Sequence, residues 1–279
     1  MTIWIIVYLI SAVIFANSFK IANRGMKDAT LLTILLELCT AFFAILFIPF
    51  FKIKIATKAS VYLILAIVVS IYAVVDRLNT EARYGLEPSV YSMLKQLSSA
   101  FIILLGIIFL KENLVINKLL GALIIIGANM LLAFKKGKFQ FNRYFYCSII
   151  GSFLFAIAMI ININLERNFN IGIYTFITVF FPALILFIIG KYKFKDLVNE
   201  YNRYNKKLFI LSGLTWALML ISSVKAYATG SVVIVAAMLS LTGVINSIIE
   251  FIIKRDKKEF LKKVLISILI LIGIILIRY

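Results

Sequence analysis

PSVYSMLKQLSSAFIILLGIIFL, residues 88–110, is long enough to cross a bilayer as one helix and holds a single charge, Lys95. A charged side chain near a membrane midplane costs roughly 3 kcal/mol on insertion scales. A chain that keeps one uses it, or encloses it in a wet interior. At about 100° per residue, Ser89, Tyr91, Ser92, Lys95, Gln96, Ser98 and Ser99 fall in one half of the helix. Val90, Met93, Leu94, Leu97, Ala100 and Phe101 fall in an arc of about 120° on the other side. A helix bathed in lipid would not carry so many polar groups on one side, so this face lines protein or water. As a substrate wall, Lys95 attracts a phosphate or carboxylate while Tyr91, Ser92, Gln96 and Ser99 exchange hydrogen bonds with the ligand. Two structural readings stand beside it. Lys95 pairs with a buried acid, for which Glu37, the only charge in the second apolar block, is the candidate. Or it snorkels to the interface.

The surrounding text settles the environment. The chain has 279 residues, is 63% hydrophobic and contains three prolines, far above the near-half apolar content of soluble domains. It has no His, which removes the commonest acid/base group and metal ligand. Cys39 and Cys147 lie in apolar runs and read as small buried hydrophobes, not a disulfide. No metal-ligand cluster, phosphate loop or nucleophile motif is present, so the reading is of a protein that is not an enzyme and has no cofactor or metal. The net charge of +18 is carried between hydrophobic blocks, where it orients helices and meets lipid headgroups; nucleic acid is not expected as a partner. The N-terminal run lacks a basic leader and a cleavage site and reads as a first span.

Ten blocks can cross about 30 Å of hydrocarbon: 2–22, 30–51, 59–78, 87–110, 115–134, 144–165, 171–190, 207–227, 231–253 and 260–278. Lipid leaves helix as the form in which every backbone group is satisfied. The expected fold is an all-α membrane protein of ten transmembrane helices. The ends of spans five and ten align when Gly127 is set on Gly273, and a similar offset sets Asn17 and Lys20 on Asn164 and Arg167. This fits a duplication, residues 1–136 and 143–279. An odd number of helices per copy makes the repeats inverted, as in many secondary transporters. The odd-numbered connections hold 21 Lys/Arg; the even-numbered ones with the C-terminus hold 7. The charge rule then turns both termini away from the cytoplasm.

Elsewhere, Tyr72, Asp76, Thr80 and Arg83 share one stripe at the end of span three, which reads either as a cavity mouth or as a solvated helix end. Arg77 and Glu81 form an i, i+4 pair there. Ala236, Ala237, Ser240, Gly243 and Ser247 form a wedge of small residues suited to close helix packing. Asn17, Asn162 and Asn164 must face the interior. Lys225 reads as a boundary residue, and Glu250 as a residue pairing locally near a helix end.

The ten-helix, five-plus-five plan resembles the drug/metabolite transporter superfamily. YSMLKQLSSAFIILLGIIFLKENLVINKLLGALIIIGANMLL (residues 91–132) looks like the end of an EamA-type repeat: a helix, a short turn with Glu112, then a glycine-containing helix. IYAVVDRLNTEARYGLEPSVYSMLKQL (residues 71–97) is similar to nucleotide-sugar transporters, whose fourth helix ends such a run in a lysine. The resemblance implies that Lys95 and Tyr91, with Tyr72, contact a phosphate-bearing substrate. The second half departs from the pattern, because Val233 to Ala237 is wholly apolar and offers no matching lysine. A smaller anion or an amino acid is as compatible as a nucleotide sugar. The family keeps both termini in the cytoplasm, opposite to the charge rule.

The expected function is secondary transport of a small polar or anionic metabolite by alternating access, in the cell membrane, as monomer or homodimer. The expected binding residues are Lys95, Tyr91, Ser92, Gln96, Ser99, Tyr72, Asn17 and Asn164, with Glu37 as the possible coupling group. Competing readings are a translocase of a lipid-linked polar headgroup and an exporter of amino acids or drugs. Membrane lipids and a small-molecule substrate are the partners in each case.

Overall fold

The computed structural model describes residues 2–109, 116–135, 138–139, 141–161, 165–229 and 232–276. Among them twelve α-helices run in order: α1 Thr2–Ala22, α2 Ala29–Phe47, α3 Ala59–Gly85, α4 Pro88–Leu94, α5 Leu97–Phe109, α6 Ile116–Ala133, α7 Arg143–Ile161, α8 Ile171–Ile189, α9 Phe194–Tyr201, α10 Lys206–Thr229, α11 Val232–Lys254 and α12 Lys257–Leu276. A two-residue antiparallel pairing, Phe134–Lys135 with Lys138–Phe139, is the only extended structure among them. Six helices, including α1, α3 and α10, are long and apolar enough to span a bilayer, and the chain is a multi-pass membrane protein. Their outward faces are bare hydrocarbon: Ile3, Ile6, Ile10 and Ile14 of α1 are all exposed. Such a belt requires lipid to cover it.

Three helical boundaries differ from the sequence reading, each for a visible reason. Span three runs on to Gly85, which carries Asp76, Thr80 and Arg83 within the helix. Span four is two helices. At the break, the Gln96 N–H donates to the Met93 carbonyl at 3.0 Å and the Ser98 N–H to the Lys95 carbonyl at 3.2 Å, a tighter winding than the α-ladder. Ser98 Oγ also donates to the Lys95 carbonyl at 2.7 Å, and Ser152 Oγ of α7 donates to the Leu94 carbonyl at 3.5 Å. These side chains answer carbonyls that the interruption frees. The connection 191–206 contains α9, started by the Asp196 carboxylate accepting the Lys193 N–H at 2.8 Å. The helix buries Leu197 and Glu200 and leaves Phe194 outside.

Side chains from both ends of the chain hold the bundle together. Met93, Leu94, Leu97 and Ala100, the apolar arc of span four, pack with Ala122 and Ile125 of α6 and Ile266 and Ile270 of α12. A second core joins Phe15 and Phe19 of α1, Leu32 and Leu36 of α2, and Phe209 and Trp216 of α10. The main pairings are α1 with α10, α2 with α8, α3 with α7, α6 with α12 and α4 with α11. Gly213 lets α10 pack on α2: a Cβ there would collide with Cys39. Gly243 faces Met93 in the same way, and Ser247 is buried, in keeping with the small-residue reading of span nine. Both cysteines are free thiols. The two glycines aligned in the sequence, Gly127 and Gly273, meet different surroundings. Gly127 faces open space, while a Cβ on Gly273 would meet the Gly121 carbonyl at 2.8 Å. Asn17 lies inside α1, and Asn164, aligned with it, lies outside the described residues.

The connections gather on two faces. On the basic face the Glu200 carboxylate accepts the Lys27 N–H at 2.9 Å, Lys20 Nζ donates to the Leu86 carbonyl at 2.9 Å, and Glu81 pairs with both Arg77 and Arg143. Tyr204 donates to Glu200 at 2.7 Å; burial, with that carboxylate, pushes its hydroxyl up, so it stays a donor. On the opposite face Asn170, 2% exposed, ties the chain at one point. Its Nδ2 reaches the carbonyls of Ile48 (3.2 Å), Phe51 (3.0 Å) and Lys52 (3.0 Å), while its Oδ1 accepts the Ile173 N–H at 3.1 Å and caps α8. Lys225 lies over the Phe51 ring there, 4.8 Å from its centroid, as a boundary lysine should.

Asn170→Asp keeps the cap acceptor and replaces the amide donor with a charge facing three carbonyls. We expect a loss of about 2 kcal/mol or more and a lower melting temperature in detergent, larger than for Asn170→Ala. An unchanged thermal transition would show that the knot does not hold the face together.

Candidate functional site

The polar centre of the bundle is built by α2, α3 and the α4–α5 break, with α1, α7 and α10 as walls. The stripe on α3 supplies most of it: Tyr72, Asp76, Thr80 and Arg83 follow one another at helical spacing. Thr80 is fully buried, so the stripe is not a solvated helix end. Arg83 lies among three rings, its guanidinium carbon 4.9 Å from the Phe15 centroid, 4.9 Å from Tyr91 and 5.3 Å from Trp216. Cation–ring contacts of this kind contribute about 0.5–2 kcal/mol each. They hold the guanidinium without using its N–H groups.

Lys95 is the last residue before the helix break, and its Nζ sits over the Phe155 ring of α7 at 4.1 Å. No carboxylate closes an ion pair with it among the described residues. Pairing with Glu37, the alternative raised by the sequence, is therefore not what the fold provides. The carboxylate that shares the Lys95 and Arg83 field is Asp76. Glu37, 0% exposed, faces Asp76 from α2. Two carboxylates and two cations thus share one buried region.

Tyr91 is 8% exposed and packs on Arg83. Asn17 donates to Asn246 Oδ1 at 3.1 Å, and Asn246 Nδ2 donates to Ser92 Oγ at 3.1 Å. This chain crosses α1, α11 and α4 and makes Asn17 and Ser92 partners in one network. Tyr72 stacks on Phe155 at 6.2 Å and so reaches Lys95 through that ring. Gln96 is half-buried in the break, and Ser99 lies in the first turn of α5. Asn164 lies outside the described residues.

Asp76 and Arg83, read from the sequence as a cavity mouth or a solvated helix end, and Asn246, which the sequence reading did not single out, complete the centre. A polar residue inside a span was the available signal for each, but Asp76 and Arg83 sat at an assumed helix end and Asn246 in an apolar run. Among the described residues, seven of the eleven buried side-chain atoms without a hydrogen-bond partner belong to this centre: both Glu37 oxygens, Asn79 Oδ1, Thr80 Oγ1, Arg83 Nε and Nη1, and the Tyr91 hydroxyl. Buried polar groups are almost always paired, and an unpaired one costs about 1–3 kcal/mol. They concentrate between α2, α3 and α4.

A clamp closes the basic face above it. Glu250 does not pair locally. Its carboxylate accepts the Ser89 N–H at 2.9 Å and the Ser89 hydroxyl at 2.5 Å, and Lys263 of α12 donates to it at 2.6 Å. Glu87, just before α4, pairs with Lys254 and Lys263. A small cleft between α11 and α12, lined by Ser247, Glu250 and Lys263, lies under this clamp and does not include Lys95. Burial alone would raise the Glu87 carboxyl, but Lys254 and Lys263 outweigh it and pull it down to about 2. No group of three His, Cys, Asp or Glu that could hold a metal occurs among the described residues.

No family model matches the chain, and no curated protein matches it. Among solved structures, it is similar to a crystal structure described only as that of a protein, with a TM-score of 0.58 at 11% identity, covering 96% of this chain and 93% of that one. The likeness is one of fold, and it extends over nearly the full length of both chains.

Because the Glu87 carboxyl is lower in the folded state than in the unfolded chain, its stabilisation is complete above the ordinary carboxylate range and is lost as pH falls. Melting temperature in detergent should therefore drop between about pH 5 and pH 2, and Glu87→Gln should flatten that drop. An identical pH profile in the variant would remove Glu87 from the clamp.

Proposed function

We propose that the protein is a secondary transporter of the cell membrane, built from ten spans in two inverted five-helix repeats, that carries a small polar or charged metabolite by alternating access. The single observation that carries this reading is the cluster of buried, unpartnered charged and polar groups around Arg83, Asp76, Glu37 and Tyr91, with Lys95 beside them at an interrupted helix. Charged groups inside spans are expensive and mark substrate or ion paths, and interrupted helices at depth are tolerated where they line such a path.

The packing supports the repeat. Exchange α1, α2, α3, α4–α5 and α6 with α7, α8, α10, α11 and α12 in that order. The contact of α1 with α10 then becomes that of α3 with α7, and α2 with α10 becomes α3 with α8. The contact of α1 with α11 becomes α5 with α7, and α11 with α12 becomes α5 with α6. The pairs α2 with α8, α4 with α11 and α6 with α12 map onto themselves. The exchanged helices α2 and α8 each have 19 residues and each begin on a side-chain cap, Asp28 and Asn170. The larger contacts map onto one another under this exchange, as a pseudo-twofold axis would make them do.

In the transport cycle, substrate enters between the halves and neutralises the cations at Arg83 and Lys95. The α4–α5 break absorbs the bend, and the Glu87–Lys254–Lys263–Glu250 clamp parts when the basic face opens. The coupling role of Glu37 rests on its position against Asp76, within the field of Arg83 and Lys95.

Lys95→Ala should lower uptake or exchange in reconstituted vesicles by at least about tenfold while the protein still folds. Substrates for the assay come from a thermal-shift screen of nucleotide sugars, phosphorylated metabolites and amino acids. Retained transport would exclude Lys95 from the path. Glu37→Gln should alter the pH dependence of transport; an unaltered profile eliminates it as the coupling group.

A further inference from the structure

The inventory of unmet hydrogen bonds at the centre has two sides. On one are donors and cations: Arg83 Nε and Nη1, the Tyr91 hydroxyl and, over Phe155, the Lys95 ammonium. On the other are acceptors and anions: Glu37 Oε1 and Oε2, with Asp76 facing them. Among the described residues Lys95 closes no ion pair, and the Glu37 and Asp76 carboxyls lie within hydrogen-bond reach of each other, with no other side-chain donor on the Glu37 oxygens. Phe15, Tyr91 and Trp216 hold the Arg83 guanidinium in place by its faces, which leaves its edge for a ligand.

Resting on the transporter reading of this site, we infer that the substrate is bipolar: a zwitterion whose carboxylate is taken by Arg83, Lys95 and Tyr91 and whose ammonium is taken by Asp76 and Glu37. A simple anion would answer the donors but leave the Glu37–Asp76 carboxyl pair, whose members lie within hydrogen-bond reach of each other, with no cation from the ligand. A simple cation would leave Arg83 and Lys95 with no anion from it. A molecule with both charges satisfies both sides and adds no net charge to a bundle interior that lipid surrounds. The arrangement also selects against each half of such a molecule, because either half alone leaves buried groups unpaired.

The test is a binding panel on the full-length protein in detergent. Amino acids of increasing size are each matched with the decarboxylated amine and the deaminated acid, with inorganic phosphate added. Thermal shift and titration calorimetry read the affinity. One or more zwitterions should bind at least about tenfold tighter than both matched partners. In folded Asp76→Asn, the preference for the zwitterion over its acid should collapse. In folded Arg83→Gln, the preference over its amine should collapse. A purely structural role for either residue would weaken all ligands alike. Should either variant fail to fold, Tyr91→Phe and Glu37→Gln repeat the comparison, each removing one polar group. Binding of phosphate or the acids as tight as that of the zwitterions overturns the inference and leaves the transporter reading intact. If no zwitterion in the panel binds, the centre is filled by water or another ligand class and the inference is wrong. Vesicle uptake of the screened substrates then decides the transporter reading separately.

Discussion

Two acids and two bases enclosed by a hydrophobic bundle set the terms for everything else in this fold. Each would be prohibitive alone in hydrocarbon, and each is tolerable here because the others stand near it. Three rings gather round Arg83 because a guanidinium that keeps its N–H groups free must be held by its faces. The fourth span winds tightly at Lys95, and Ser98 and Ser152 engage the carbonyls exposed by the interruption. The clamp of Glu87, Glu250, Lys254 and Lys263 fixes the start of α4 and so fixes the depth at which Lys95 hangs.

Hydropathy was sufficient to read the membrane character and most helix positions, because the bilayer imposes a length and an apolarity that the text cannot hide. The polar side of residues 89–99 was equally plain, and Tyr91, Ser92 and Lys95 do sit among buried polar partners. The helix break was not legible. It depends on two side-chain hydroxyls, one of them on α7, and neither alters the local periodicity. Arg83 and Asp76 were mislocated because their charges suggested the end of a span, whereas the α3 helix continues beneath the basic face to Gly85. Asn246 was hidden by its apolar surroundings, and its role needs Asn17 and Ser92 from two other helices.

The two faces of the bundle differ in how they are fastened. The basic face is joined by carboxylates that reach between connections: Glu81 to Arg143, Glu200 to the start of α2, Glu250 to the start of α4. The carboxylates of these links are buried, and Arg143 is the exposed partner, 74% open, where water and salt reach. The opposite face is fastened by neutral hydrogen bonds from Asn170 and by rings, as in the contact of Trp4 with Phe51. The two faces are thus fastened by different chemistry, charged links on one and neutral ones on the other.

The interleaving of α1 with α10 and of α3 with α7 has a consequence for how the chain is made. The aromatic wall around Arg83 is completed by Trp216, and the Asn17 network by Asn246, both of which emerge from the ribosome long after α3 has entered the membrane. During synthesis the early helices hold bare charges that only later helices can cover. They must wait beside the translocon, or in the shelter of an insertion chaperone, until the end of the chain arrives. A nascent chain stalled before α10 is thus an exposed quality-control target, and biogenesis selects for the whole sequence as a unit.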